Sequence, residues 1–96
     1  MHPKSKNLLK EVKEHLRKGT YILTEHAAER LSERRVHLTD VLHVLENGQH
    51  EQKKDSFDGE YQCWKYAIRG KTTDRIDIRV IIALKNDLVI ITVIKV

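Results

Sequence analysis

The sequence predicts an α+β domain in which N-terminal helices pack on one face of a mainly antiparallel sheet of four to five strands. Apolar residues recur at helical spacing before residue 49 and alternate along short β-prone runs after it. A length of 96 residues suffices for one hydrophobic core. We therefore expect a single domain over residues 1–96, with a leading helix in 1–19, two further helices in 20–48 and the sheet in 49–96.

Three candidate helices occupy the first half of the chain. Each follows a residue whose hydroxyl suits an N-cap, and we predict these caps at Ser5, Thr24 and Thr39. The first helix is expected to end at Gly19, the second to run from Glu25 to about Arg35, and the third from Asp40 to Glu46 before Asn47-Gly48.

The second half of the chain, together with the short run Tyr21–Leu23, predicts strands. Residues 49–55 are polar and indicate an edge strand, residues 56–59 and 70–73 indicate turns, and strands are expected over 60–69, 75–84 and 88–96. The final strand is apolar almost throughout, which favours a central position covered on both faces. In the 75–84 strand apolar and charged residues alternate, so one face of the sheet should carry charge.

Composition and charge narrow the classes of function. The formal net charge is +4, and Cys63 is the single cysteine, so no internal disulfide forms. The chain contains no apolar run of the length of a transmembrane helix and no signal-peptide core at its start. These features predict a cytoplasmic protein without a membrane partner, and they exclude a disulfide-stabilised secreted scaffold.

The residues best suited to catalysis lie on the second helix. At about 100° per residue, His26, Arg30 and Glu33 fall on one stripe, with Arg34 at its margin. An imidazole can transfer a proton near neutral pH, and a guanidinium can stabilise charge on a phosphorane. The same spacing also fits an ordinary surface ladder of ion pairs beside a partly buried histidine.

The strands supply a second group of cations. Lys65 and Arg69 are expected on one face of their strand and Arg75 and Arg79 on one face of the next, with Tyr61 positioned to stack on a base. These residues form a candidate nucleic-acid-binding surface. The alternative is that they are solvated positions of a half-exposed sheet.

Metal binding is the competing use of the six histidines. No pair of them has the tight spacing of a zinc motif, and Cys63 has no CxxC partner. We therefore expect no metal or other cofactor.

One segment resembles a known family. The run His26-Ala27-Ala28-Glu29-Arg30-Leu31-Ser32-Glu33-Arg34, followed by Asp40-Val41 and Asn47-Gly48, is similar to the H-A-x-x-R-[ML]-x-E-R pattern of a family of small bacterial domains of unknown function. The resemblance extends over about residues 20–96. The order of elements also resembles that of the MqsR toxins, which are RelE-like ribonucleases.

This resemblance implies a RelE-like fold and the barnase/RelE class of metal-independent endoribonucleases. Carried over by position, His26, Arg30, Glu33 and Arg34 become candidate catalytic residues, and Arg79 joins them by its strand position alone. The expected function is that of an mRNA-cleaving toxin of a type II toxin–antitoxin system, with RNA and a cognate antitoxin as partners. The alternative is a non-catalytic module of the same fold that binds nucleic acid or protein.

Overall fold

The fold combines three helices with a six-stranded mixed sheet, which confirms the predicted α+β class with helices at the N-terminus. The structure is a computed structural model and describes residues 3–96. The elements in chain order are α1 (Leu8–Lys18), β1 (Tyr21–Leu23), α2 (Glu25–Arg34), α3 (Leu38–Asn47), β2 (Gln49–His50), a 3₁₀ turn (Gln52–Lys54), β3 (Ser56–Asp58), β4 (Cys63–Lys71), β5 (Asp77–Leu84) and β6 (Leu88–Lys95).

The sheet has the strand order β1-β6-β5-β4-β2, and β3 pairs with β4 outside this path. β1 runs parallel to β6, whereas every other pairing is antiparallel. In the sequence, α2 and α3 follow β1 and lead to β2 at the opposite edge of the sheet. The antiparallel strands then return across the sheet to β6, which lies parallel to β1. The sixth strand is β3, in a segment whose sequence predicts only a turn.

The hydrophobic core lies between the helices and one face of the sheet. Alternate residues of β5 are fully buried there, namely Ile78, Val80 and Ile82, which are the apolar positions that the alternation predicts. The helices cover them with apolar side chains that include Val12, Ala27, Leu31, Val41 and Leu45. The opposite face, which carries Lys65, Arg69, Asp77 and Arg79, is called the charged face below.

The helix ends differ in part from the predictions. Gly19 ends α1 in the left-handed conformation, with φ 72°, as predicted. Thr24 caps α2, also as predicted. The caps predicted at Ser5 and Thr39 are wrong, because α1 follows Asn7 and α3 follows His37. At α3 the Asp40 carboxylate accepts a hydrogen bond from the backbone N–H of His37 at 3.1 Å, which fixes the earlier start.

The segment between α3 and β4 is not the single edge strand that its polarity predicts. Its chain turns around the carboxylate of Asp55, of which only 1% is exposed. Oδ2 of Asp55 lies 2.7 Å from both Lys4 Nζ and His50 Nε2, and Oδ1 accepts the backbone N–H of Ala67 at 3.0 Å. Because these contacts draw the chain inward after β2, the edge strand stops at His50.

A bulge in β6 places two residues that matter for the site. Ile81 of β5 pairs with Thr92, but the next residue, Ile82, pairs with Ile90, so Ile91 is extra in its strand. A bulge bends a strand and redirects the side chains beside it. Here it turns the Ile91 carbonyl toward α2 and presents Thr92 on the side facing His26.

The central position predicted for the last strand is confirmed, since β6 lies between β1 and β5. Its coverage is less complete than predicted. Leu88, Ile90 and Val93 are buried against the helices, whereas Val89 and Ile91 on the charged face are only half-buried. The apolar run therefore leaves apolar surface on the charged face beside the start of α2.

The close approach of α3 to β4 requires a glycine at position 48. A Cβ atom there would lie 2.5 Å from the Val44 carbonyl oxygen and 2.7 Å from that of Arg69. Gly48→Ala should therefore lower the free energy of unfolding by about 2 kcal/mol, as expected for overpacking, measured by urea denaturation. Gly59→Ala is the control, because a Cβ there meets nothing within 4 Å. Equal stability of the two variants would contradict this packing.

Candidate nucleic-acid interface

Thr24 joins the start of α2 to the bulge of β6. Its Oγ1 accepts the backbone N–H of Ala27 at 3.0 Å and donates to the carbonyl of Ile91 at 3.1 Å. One hydroxyl thus caps the helix and fixes it to the sheet. The first turn of α2, whose backbone N–H groups have no partner within the helix and which carries the positive end of the helix dipole, is held beside the second half of β6.

His26 stands in this first turn with an exposed side chain. Its Nε2 is hydrogen-bonded to Oγ1 of Thr92 at 3.1 Å, which fixes the orientation of the ring. Within residues 3–96, Nδ1 has no hydrogen-bond partner, so this nitrogen remains available for proton transfer. The partly buried histidine considered from the sequence is therefore not observed.

Arg30, Glu33 and Arg34 form a connected group at the other end of the helical stripe. Arg30 Nη1 donates to Glu33 Oε2 at 2.6 Å, and Arg34 Nη1 lies 3.8 Å from the same oxygen. Glu33 holds the two guanidinium groups near each other rather than contacting His26. The predicted stripe is thus present: Arg30 lies one turn after the imidazole and Arg34 two turns after it, and the two guanidinium groups share one carboxylate.

The arginines of the charged face are paired with carboxylates. Arg79 donates to Glu51 through Nε at 2.6 Å, and Arg69 makes two hydrogen bonds to Asp77, through Nε at 3.1 Å and Nη2 at 2.8 Å. Arg69 also approaches Glu51 at 3.6 Å. Two arginines and two carboxylates form one network, so this part of the face carries little free positive charge.

The network changes the acidity of its members. The hydrogen bond from Arg79 holds the pKa of Glu51 below its ordinary value of 4.5. The hydrogen bonds from Arg69 likewise lower the pKa of Asp77, and Asp77 in turn raises the pKa of Arg69. Each shift favours the ionised form of the carboxylate, so the pairs persist at neutral pH.

Tyr61 and Lys65 lie together on the charged face, at a groove of about 290 Å³. Ala83, Val89 and Ile91 form the apolar floor of this groove, and Lys85 stands with Tyr61 and Lys65 around its rim. Thr24, Asp58 and Cys63 complete its lining, and these nine residues define the sheet groove. Tyr61 lies in the turn before β4 rather than on the strand itself, but it remains on the side of Lys65.

Arg75 does not join this surface in the way the alternation predicts. It precedes β5, in a loop, with an exposed side chain and a left-handed backbone at φ 63°. The strand begins at Asp77 because Thr72 closes a tight loop, accepting the backbone N–H of Ile76 through Oγ1 at 3.1 Å. The predicted pairing of Arg75 with Arg79 on one strand face is therefore wrong.

Three residues of the interface were not assigned a functional role from the sequence. Thr92 interrupts the apolar run of β6, which was the one available signal that its side chain serves another purpose. Glu51, which neutralises Arg79, lies in a polar segment without regular alternation. Lys85 lies in a hairpin turn, where its direction depends on the turn geometry rather than on strand periodicity.

Over residues 3–96, no group of three or more His, Cys, Asp or Glu side chains is arranged to hold a metal ion. No helix in the same part of the chain combines the length and the apolar character needed to cross a membrane.

These features define a small α+β domain with a histidine- and arginine-bearing helix beside a partly cationic sheet face. Residues 23–95 match the family model described as domain of unknown function DUF4258, and the chain belongs to this family. Helix α1 lies outside the matched region. Neither the curated proteins nor the solved structures contain a match to this chain.

The lowered carboxyl pKa values of Glu51 and Asp77 predict how stability depends on pH. Each of these pKa values is lower in the folded state than in the unfolded chain. The network therefore stabilises the fold at pH values above the unfolded-state pKa values. This stabilisation is lost as the pH falls through the folded-state pKa values. Glu51→Gln should lower the free energy of unfolding at pH 7 by about 1 kcal/mol. Between pH 5 and pH 3, the free energy of unfolding should fall less in the variant than in the wild type, measured by urea denaturation at each pH.

The matched control is Glu60→Gln, because Glu60 is an exposed residue of the turn before β4. The control should follow the wild-type pH profile. An identical profile for Glu51→Gln would show that the network contributes nothing to acid sensitivity.

Proposed function

We propose that this domain is a metal-independent endoribonuclease of the RelE-like class, acting as the mRNA-cleaving toxin of a bacterial type II toxin–antitoxin system. The observation that carries the proposal is the exposed His26 imidazole, oriented by Thr92 and placed one helical turn before Arg30 and two turns before Arg34. RNA in the cytoplasm is the substrate, and an antitoxin protein is the partner that restrains the enzyme.

The chemistry requires only groups that the RNA and these residues supply. The 2′-hydroxyl of one nucleotide attacks the adjacent phosphate, the bond from phosphorus to the 5′-oxygen breaks, and the fragments end in a 2′,3′-cyclic phosphate and a 5′-hydroxyl. His26 takes the proton from the 2′-hydroxyl and passes it to the leaving 5′-oxygen, so the one imidazole completes both transfers. Arg30 and Arg34 stabilise the phosphorane, and Glu33 positions both guanidinium groups.

Arg79 is a secondary member of this set. Its Nε already donates to Glu51 at 2.6 Å, so binding of an RNA phosphate to Arg79 requires exchange with that carboxylate. The same condition applies to Arg69, which Asp77 holds by two hydrogen bonds. Arg30 is also bonded to a carboxylate, that of Glu33 at 2.6 Å, and it is favoured over Arg69 and Arg79 because it lies one turn from His26 on the same helix. The charged face contributes to binding through Tyr61 and Lys65.

A second candidate is a non-catalytic module that binds nucleic acid or protein. The observation that favours it is the pairing of Arg69 and Arg79 with carboxylates, since this removes two cations from the predicted phosphate-binding surface. In this alternative, RNA binding weakens with salt but no phosphodiester is cleaved.

Replacing His26 by alanine should slow mRNA cleavage by at least about 100-fold, because the proton transfer is lost. Arg30→Ala should slow cleavage by a similar factor, because the phosphorane loses a guanidinium group that stabilises it. The measurement follows the half-life of full-length mRNA in a cell-free translation reaction, which supplies both ribosomes and free message.

His43→Ala provides the matched histidine control, because His43 lies on α3 and contacts Asn47. It should cleave as the wild type does, and thermal melting should show that all the variants are folded. Full activity of His26→Ala would exclude the proposed mechanism, and an inactive wild type that still binds RNA would support the binding module.

A further inference from the structure

The sheet groove has a chemical character that the proposed cleavage does not use. Its floor of Ala83, Val89 and Ile91 is apolar, and its volume of about 290 Å³ is near the lower end of small-molecule sites. The rim carries one aromatic ring and two ammonium groups, one of which, that of Lys65, is paired with the Asp58 carboxylate. An apolar floor under such a rim suits a flat ligand that carries negative charge nearby. A nucleotide of single-stranded RNA combines these two properties.

We propose that the sheet groove is a nucleobase-binding subsite, which selects the nucleotide placed next to the cleavage site. This inference rests on the proposed function for its link to catalysis, although binding of the base does not require cleavage. The base enters the groove and stacks on Tyr61, while the flanking phosphates lie near Lys65 and Lys85.

Tyr61 is the residue that favours a base over another occupant. Its side chain is 64% exposed, although burying an aromatic ring is favourable. The ammonium group of Lys85 lies 5.4 Å from the ring centroid, so a cation holds the ring at the groove. An exposed aromatic ring beside cations is the arrangement by which proteins bind single-stranded nucleic acids.

The Asp58 carboxylate shapes the rim of the sheet groove and is not free to repel the RNA. One of its oxygens accepts the backbone N–H groups of Glu60 and Tyr61, at 3.0 and 3.2 Å, and so shapes the turn that carries the tyrosine. Its other oxygen lies 3.2 Å from Lys65 Nζ and directs this ammonium group to the groove wall. The carboxylate is thus already satisfied, and the exposed cation of Lys85 remains for phosphate.

The groove is continuous with the proposed catalytic residues. Thr24 and Ile91 both line it, and the hydrogen bond between them fixes the first turn of α2. Thr92, the next residue of β6, holds His26. A base in the sheet groove therefore places its own phosphodiester at the first turn of α2, so occupancy of the groove determines which bond reaches His26.

The test measures RNA binding separately from cleavage. In a His26→Ala background, which prevents cleavage of the probe, affinity for a short fluorescent single-stranded RNA is compared in protein with and without Tyr61→Ala. Loss of the stacking ring should weaken binding by about tenfold or more. Tyr61→Phe should restore it, because the ring rather than the hydroxyl binds the base.

Phe57→Ala is the matched aromatic control. Phe57 is also exposed, but it packs edge-on against Trp64 and is absent from the sheet groove. Its replacement should leave RNA affinity unchanged. Equal affinity of the Tyr61→Ala and Tyr61→Phe proteins would overturn the subsite, as would a large effect of Phe57→Ala alone.

A second measurement identifies the part of the nucleotide that is bound. In methyl NMR spectra of the wild-type chain, adenosine monophosphate should shift the signals of Ala83, Val89 and Ile91, whereas ribose 5-phosphate should not. Equal shifts with both probes would reduce the groove to a phosphate site and overturn the proposal.

The two proposals fail in different ways. Tyr61-dependent binding without cleavage by the wild type would leave the subsite standing and refute the ribonuclease. Cleavage that depends on His26 but not on Tyr61, together with unchanged RNA affinity, would refute the subsite and leave the ribonuclease standing.

Discussion

The hydrogen bonds of one hydroxyl group, that of Thr24, determine where the candidate site lies. This group caps α2 and binds the carbonyl that the β6 bulge exposes at Ile91. The bulge bends the strand at this point and directs the carbonyl toward the helix. The contact brings His26 beside Thr92 and sets the start of α2 against the sheet groove, so the proposed catalytic and binding residues depend on the same short junction.

Pairing of charges then divides the cationic surface into two parts with different properties. Arg69 and Arg79 are held by Glu51 and Asp77, which stabilises the sheet near β2 but neutralises its charge. Near β6, Lys85 is exposed, and the guanidinium groups of Arg30 and Arg34 share the single carboxylate of Glu33, so this part of the surface keeps an excess of positive charge. A modest net charge is therefore compatible with a localised RNA site, because the position of each cation matters more than their total number.

The fold class and the α2 stripe could be predicted from the sequence because both follow from periodicity. Alternation in β5 identified Ile78, Val80 and Ile82 as core, and helical spacing brought Arg30, Glu33 and Arg34 together. Contacts distant in sequence could not be predicted in this way. The pairing of Glu51 with Arg79, the burial of Asp55 and the bulge at Ile91 depend on how separate segments meet. Local turns, such as the one that removes Arg75 from β5, were missed for the same reason.

In the proposed function, His26 catalyses cleavage of cellular RNA. This role is tested by induced expression of the wild type and of His26→Ala in bacterial cells without an antitoxin, following growth and the integrity of mRNA. We expect growth arrest and RNA fragments with 5′-hydroxyl ends in the wild type, both relieved in His26→Ala at equal protein level. Normal growth with intact RNA in the wild type, or arrest that persists in the variant, would contradict it.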